Sequence, residues 1–327
     1  MPELPDVELY LHALTSRVIG HRLERIRIVS PFLLRSVVPP LEAAEGRHVH
    51  SLARLGKRVV FGLEGDLFLV IHLMISGRFR WKDRGAAVPG KVGLAAFDFD
   101  SGTLVLTEAS ARKRASLHVV QGKPGLAEHD RGGLESLSAT REAFAARLML
   151  ERRTLKRALT EPRLFSGIGN AYSDEILHAA KLSPTQLTTN LDESEVGRLF
   201  VSTRKVLETW RTRLIAETGD RFPEKVTAFR DGMAVHGRYG KACPDCGAPV
   251  QRIRYAANES NYCAVCQTGG RLLADRALSR LLGEDWPRSL EELEEMQVTS
   301  RSTISSGPPR GGEKPQSRAR TSRAKRR

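Results

Sequence analysis

Apolar positions near the start of the chain recur at helical spacing. Val7, Tyr10, Leu11, Leu14 and Val18 share one face, with Pro5 and Asp6 where a helix would begin. From Arg22 the period changes toward two. Ile26 and Ile28 alternate with Arg25 and Arg27, and short β-branched-rich runs follow at 57–63, 67–73, 94–99, 103–107 and 115–120. Turns such as Glu64-Gly65-Asp66 and Asp100-Ser101-Gly102 separate them. This pattern predicts one helix followed by an antiparallel β-domain over residues 1–125. The Gly-rich stretch 122–133 reads as a linker. Helical spacing then returns at 141–152, in a segment through Lys156, at 170–180 and across 191–218. Strands first and helices later predict an α+β protein. Its expected units are 1–125, a helical domain 126–235, a cysteine module 236–270, a helical extension 271–296 and a tail 297–327.

Composition narrows the class. Hydrophobic residues make up 40% of the 327, an ordinary share for a globular protein. No apolar run approaches the roughly 20 residues that span a bilayer. Glu3, Asp6 and Glu8 with no basic residue are wrong for a secretory or transit signal, so a cytoplasmic monomer with no membrane partner is expected. The formal net charge is +14, and nine Lys/Arg against one Glu at 301–327 place +8 of it in the tail, leaving +6 to residues 1–300. That excess favours a polyanionic partner. The tail is rich in Ser, Gly, Pro and Arg and reads as disordered.

All four cysteines form two pairs, Cys243-x2-Cys246 and Cys263-x2-Cys266. Two tight turns carrying paired thiolates can converge as a tetrahedral site, which suits one structural Zn2+. Two disulfides or a redox pair are the alternatives, and a cytosolic setting disfavours disulfides. Between the pairs there is room for a β-hairpin presenting Arg252, Arg254 and Tyr255. Such a hairpin fits nucleic-acid contact, and zinc ribbons that bind proteins look the same at this level.

Removal of Met1 would leave Pro2 as a free secondary amine. An α-amino group has a reference pKa of about 7.7–8.0, so part of it is unprotonated at neutral pH. Such an amine can attack a sugar C1′ and form an iminium. Glu3 beside it could move protons. Taken alone, Pro-Glu is a common dipeptide with no chemistry attached.

Several motifs converge. Pro2-Glu3-Leu4-Pro5-Asp6-Val7-Glu8, Gly56-Lys57, His72 to Gly77, and Gly167-Ile168-Gly169-Asn170 with Asp174-Glu175 occur in order ahead of the cysteine module. Together they resemble the formamidopyrimidine-DNA glycosylase/endonuclease VIII family over about residues 1–270. The resemblance implies a β-sandwich, a helix–two-turn–helix domain and a zinc-finger hairpin, with damaged double-stranded DNA between them. It implies Pro2 as Schiff-base nucleophile, Glu3 as acid/base and Lys57 as proton donor and phosphate contact. Lys156 and Asn170 would hold the backbone while the damaged base is flipped out. Glu175 would orient its neighbours, and the backbone N–H groups around Gly169 could cradle a phosphate.

The chain departs from that family in three places. His72-Leu73-Met74-Ile75-Ser76-Gly77 replaces His-Leu-Gly-Met-Ser-Gly, so Ile75 or Met74 would fill the gap left by the base. The loop 107–115 keeps Arg112, Lys113 and Arg114 but lacks the aromatic wedge. Asn258 stands where an arginine of the finger is expected, five residues before Cys263, with Arg252 or Arg254 as substitutes. The expected activity is a bifunctional glycosylase/AP lyase on oxidised or ring-opened bases. A lesion-binding protein that does not cut is the competing class.

Overall fold

The structure is a computed structural model that describes residues 1–255, 258–274, 283 and 286–296. The predicted tail, the finger tip at 256–257 and much of the 271–296 extension lie outside the described residues.

Helix α1 (Leu4–Val18) starts as the pattern requires, with Pro5 in its first turn and the Asp6 carboxylate accepting the Glu3 N–H at 2.9 Å. Leu9 and Ala13 are buried in addition to Val7, Tyr10, Leu14 and Val18. The reason is tertiary: α1 packs on the sheet with one side and on the long helix of residues Glu193–Thr218 with another. Strands β1 (Arg22–Ile28), β2 (Arg47–Leu55), β3 (Arg58–Leu63), β4 (Leu67–His72), β5 (Gly77–Lys82), β6 (Gly93–Phe99), β7 (Gly102–Glu108) and β8 (Ser116–Gln121) follow. They form one antiparallel ladder in the order β5-β7-β6-β1-β2-β3-β4-β8. Strand β2 is shared by two halves and shifts register between Val49 and Ser51. Phe61 of β3 stacks on Phe99 of β6 at 6.4 Å, so the two halves face one another across a common core. β2 and β5 are additional to the strands read from the pattern. β2 lacks clean alternation because it bends from one half to the other.

The stretch read as a linker opens with a short helix, α2 (Gly122–Ala127), whose Leu126 covers Val60, Phe68, Val70 and Val120 on the outer face of the sheet. The chain folds back here because that face is itself apolar. Helices α3 (Arg141–Met149), α4 (Leu155–Thr160), α5 (Asn170–Ala179) and α6 (Glu193–Thr218) complete the helical region. Thr140 and Asp192 cap α3 and α6 through side-chain oxygens. One hydrophobic cluster runs from the sandwich through α1 into this region, from Leu69 and Phe97 to Phe165, Tyr172 and Leu214. Arg54 of β2 adds a polar tie, bonded to Glu8, Ser166 and Glu135.

The cysteine module forms a hairpin of β9 (Val250–Tyr255) and β10 (Asn258–Cys263), then α7 (Ala264–Thr268). The extension is not helical from Leu272 as expected. Residues 271–273 run back along the hairpin, with Leu272 N–H bonded to the Arg288 carbonyl and Leu273 N–H to Tyr262 Oη, and helix occupies 290–296. Leu272, Leu273, Leu290 and Leu293 bury apolar surface against Ile253 and Tyr262, which a free helix could not do. Among the described residues no helix is long and apolar enough to cross a membrane.

Candidate active site

The connection 161–169 turns the chain sharply between α4 and α5 and sets the α5 N-terminus against the start of α1. There the buried Glu3 carboxylate accepts N–H bonds from Gly169 (2.7 Å), Ala171 (2.9 Å) and Tyr172 (3.2 Å). The anion at this helix end is therefore the protein's own Glu3. Of the 167–170 backbone expected to cradle a phosphate, the Gly169 N–H is already bonded to Glu3.

Lys57 occupies the two-residue turn between β2 and β3, whose Gly56 has φ +62°. A Cβ at Gly169 would lie 2.5 Å from Glu3 Cδ and 2.6 Å from Lys57 Nζ, so the glycine is what lets the two side chains converge. Burial lowers the Lys57 pKa, with Glu3 opposing and Lys156 adding to the shift. The terminal amine next to Pro2 is lowered too, first by burial and then by Arg78 and Lys57, against Glu3 and Asp6. Pro2, Glu3 and Lys57 are thus brought to one place by α1, the β2–β3 turn and α5. Asp6, three residues on from Glu3, accepts the Glu3 N–H with one carboxylate oxygen and holds Arg230 at 2.6 Å with the other.

Lys156 is placed differently from the expectation. It is buried, and its ammonium donates to the Asn170 carbonyl (2.6 Å) and Asp174 Oδ1 (2.5 Å), so it braces the start of α5 rather than standing free. Asn170 is half-buried at the first turn of α5, and its side chain makes no hydrogen bond among the described residues. Asp174 had no role in the sequence reading, although its i+4 spacing from Asn170 puts both on one helix face. It also accepts from His236 Nδ1 (2.8 Å) and Ser260 Oγ (3.0 Å), joining α4, α5, the 234–236 segment and the finger. Its pKa is lowered despite burial, through Lys156 and His236. Glu175 accepts the N–H groups of Ala234, Val235 and His236 at 2.7 to 2.9 Å, the orienting role expected of it.

The 73–77 turn presents Ile75, 55% exposed, while Met74 is partly buried with φ +53°. Of the two candidate wedges, Ile75 is the one displayed. Arg78 fixes the turn by donating to the Ile75 and Gly77 carbonyls. In the 109–115 loop Arg112 is exposed without a partner among the described residues. Buried Glu108 holds that loop through the N–H groups of Arg114 (2.8 Å) and Ala115 (3.1 Å).

The Sγ atoms of Cys243, Cys246, Cys263 and Cys266 lie within 4.8 Å of one another, with Cys246–Cys263 at 3.4 Å and Cys243–Cys266 at 3.9 Å. A Zn–S bond of about 2.3 Å in a tetrahedron sets sulfurs about 3.8 Å apart, so the four cysteines fit zinc. They form a cluster consistent with a zinc finger. His178 of α5 sits 3.3 Å from Cys243 Sγ, docking the cluster on the helical region. Arg252 lies over the Tyr239 ring at 4.0 Å and near Glu259, so it is engaged on the hairpin's flank. Arg254 is exposed one register step nearer the tip, opposite Glu259. Asn258 begins β10 opposite Tyr255.

A β-sandwich and a helix–two-turn–helix region, joined through an N-terminal helix at whose start an amine and a carboxylate meet the lysine of the β2–β3 turn, define a DNA-repair glycosylase fold. The formamidopyrimidine-DNA glycosylase N-terminal domain model matches residues 1–116, and the corresponding H2TH domain model matches residues 133–211. Formamidopyrimidine-DNA glycosylase of Symbiobacterium thermophilum is 33% identical over 286 residues, covering 82% of this chain and 89% of the relative. That of Thermus thermophilus is 34% identical over 283 residues, covering 83% and 100%. The Lactococcus lactis Fpg structure in complex with abasic-site DNA superposes with a TM-score of 0.70 at 25% identity, covering 81% of this chain and 99% of that one. The chain belongs to the Fpg/Nei family of base-excision-repair DNA glycosylases.

Proposed function

We propose that this protein excises oxidised or ring-opened bases from duplex DNA and then nicks the strand as an AP lyase. The observation that carries this reading is the convergence of the amine end of the chain, Glu3 and Lys57 at the α5 N-terminus. Solved relatives bound to abasic-site DNA and to Fapy-dG DNA support DNA as the partner.

With Met1 removed, the Pro2 nitrogen bonds to C1′ while the bond from C1′ to the base breaks. The electron pair leaves with the base, which takes a proton from Lys57. The Glu3 carboxylate removes the proton of the attacking amine and passes it to O4′ as the C1′–O4′ bond opens, leaving an iminium between Pro2 and C1′. The iminium acidifies C2′–H; Glu3 takes that proton, and the C3′–O bond breaks with its electrons on the phosphate. Lys57, already disposed to give up its proton by burial, serves as donor and phosphate contact. Asn170 holds the backbone, Ile75 fills the space left by the base, and Arg112 and Arg254 reach the strands. Lys156 acts on Asn170 and Asp174 from behind. One zinc held by the four cysteines would fix the hairpin and take no part in the chemistry.

The test is borohydride trapping with oligonucleotides carrying an abasic site, 8-oxoguanine or 5-hydroxyuracil, after mass spectrometry confirms that Pro2 is N-terminal. A covalent adduct that disappears in Pro2→Ala and Glu3→Gln is the expected result. Tight lesion binding with no adduct on any substrate would overturn the lyase and leave a binder that does not cut.

A further inference from the structure

A second cationic site lies beyond Lys57, on the outer face of β3, β4 and β8. The ladder pairs Arg58 with His72 and Val70 with His118, so these side chains point to the same outer face as Val60 and Val70. The apolar part of that face is covered by Leu126 of α2. The chain leaving α2 then brings His129 over His118, with ring centroids 4.5 Å apart, and Arg131 beside Arg58. Arg35 closes the far side next to His118, its backbone N–H bonded to the Leu117 carbonyl.

None of the side chains of Arg35, Arg58, His72, His118, His129 and Arg131 makes a hydrogen bond or ion pair among the described residues. Elsewhere in this sheet Arg27 is matched to Asp98, and Arg54 to Glu8 and Glu135. The acidic groups facing the cluster are Asp130 and Glu128, and Asp130 is bonded to the Gly132 N–H. Sheet register holds Arg58, His72 and His118 together, and the flanking segments add Arg35, His129 and Arg131 to the same group.

We infer that Arg35, Arg58, His118, His129 and Arg131 form a phosphate-binding subsite that receives the DNA backbone away from the damaged nucleotide, extending the strand's path past Lys57. This rests on the reading of the protein as a DNA-lesion enzyme. A duplex phosphodiester fits better than a free ion, because the subsite begins at the residue after Lys57 and has Arg35 and Arg131 exposed at its rim rather than enclosed in a pocket. The three histidines face Lys57, Arg35, Arg58, Arg131, Glu128, Asp130 and one another, and burial first, then the neighbouring cations, lower their pKa values in the free protein. A phosphate would offset the repulsion from those cations, so binding takes up protons.

The experiment measures equilibrium binding of a tetrahydrofuran-containing duplex as salt and pH are varied. It compares the wild type, Arg131→Gln/His129→Gln and Arg35→Gln/His118→Gln, with Lys205→Gln on α6 as the surface control. Each lost phosphate contact should weaken binding about fivefold at 0.15 M salt and make the log–log salt slope shallower by about 0.9. The gain in affinity of the wild type as pH falls below about 6.5 should shrink in both double variants. Thermal melts confirm that the variants fold, and the exposed single Arg131→Gln stands in if a double variant does not. Variants with wild-type affinity, salt slope and pH response would overturn the subsite. Borohydride trapping of the wild type on an abasic duplex separates the two readings. Trapping without a binding defect in the variants removes only the subsite, whereas a binding defect without trapping removes only the lyase.

Discussion

Gly169 is the smallest residue in the site and the one that decides its geometry. Its N–H holds Glu3, and its missing side chain leaves the space into which Glu3 and Lys57 converge. Gly169→Ala should therefore reduce borohydride trapping by about 100-fold or more, since small displacements of reacting groups are that costly. Circular dichroism should show the fold retained. Met74 presents the opposite case. It holds φ +53°, a conformation that costs a residue with a Cβ about 1–2 kcal/mol, in a turn where the family pattern has glycine. Met74→Gly should stabilise the protein by about 1 kcal/mol in urea unfolding, and Ile75 should keep its exposed position.

At the scale of elements, α5 connects almost everything the site needs. Its N-terminus holds Glu3, its first turn presents Asn170, and Asp174 and Glu175 lock it to Lys156, the 234–236 segment and the finger. Asp174→Ala would leave the Lys156 ammonium buried without its carboxylate. Breaking a buried pair in this way typically costs about 3–5 kcal/mol, which urea unfolding will show. Because His236 and Ser260 lose the same partner, the variant should also release its metal to a chelator faster than wild type.

The whole molecule carries a pH dependence in its cationic face. His72 and His118 are pushed down to about 4 by burial and neighbouring cations, and His129 is lowered as well. The unfolded chain, with histidines titrating near 6.5, binds more protons than the native state between those values. Their contribution is complete above about pH 6.5 and is lost as pH falls toward 4. Burial raises Asp6 and Glu175, and those groups contribute in the opposite sense at higher pH. Thermal melts at pH 7.5 and 5 should show a fall in Tm that is smaller in His72→Gln and His118→Gln. At the same scale α1 is buried between the two large regions, its Tyr10 ring lying 5.3 Å from that of Phe79 and 6.0 Å from that of Phe222.

What the sequence determined by itself is local or repeated in pattern. The period change at Arg22 announced the strands, Pro5 and Asp6 the start of α1, and the two Cys-x2-Cys pairs the finger. Pro2, Glu3, Lys57 and Asn170 were legible because ordered motifs carry them. Tertiary structure alone decided which charges are spoken for. Glu3 takes the Gly169 N–H that looked free for a phosphate, and Lys156 is paired with Asp174, 18 residues away in sequence. The histidine and arginine face exists only through sheet register and the return of α2, which bring Arg35 and Arg131 to the same surface. Periodicity records which side of an element is apolar, a property of neighbouring residues. The partner that a buried charge finds is set by chain segments far apart in sequence, and no spacing rule contains it.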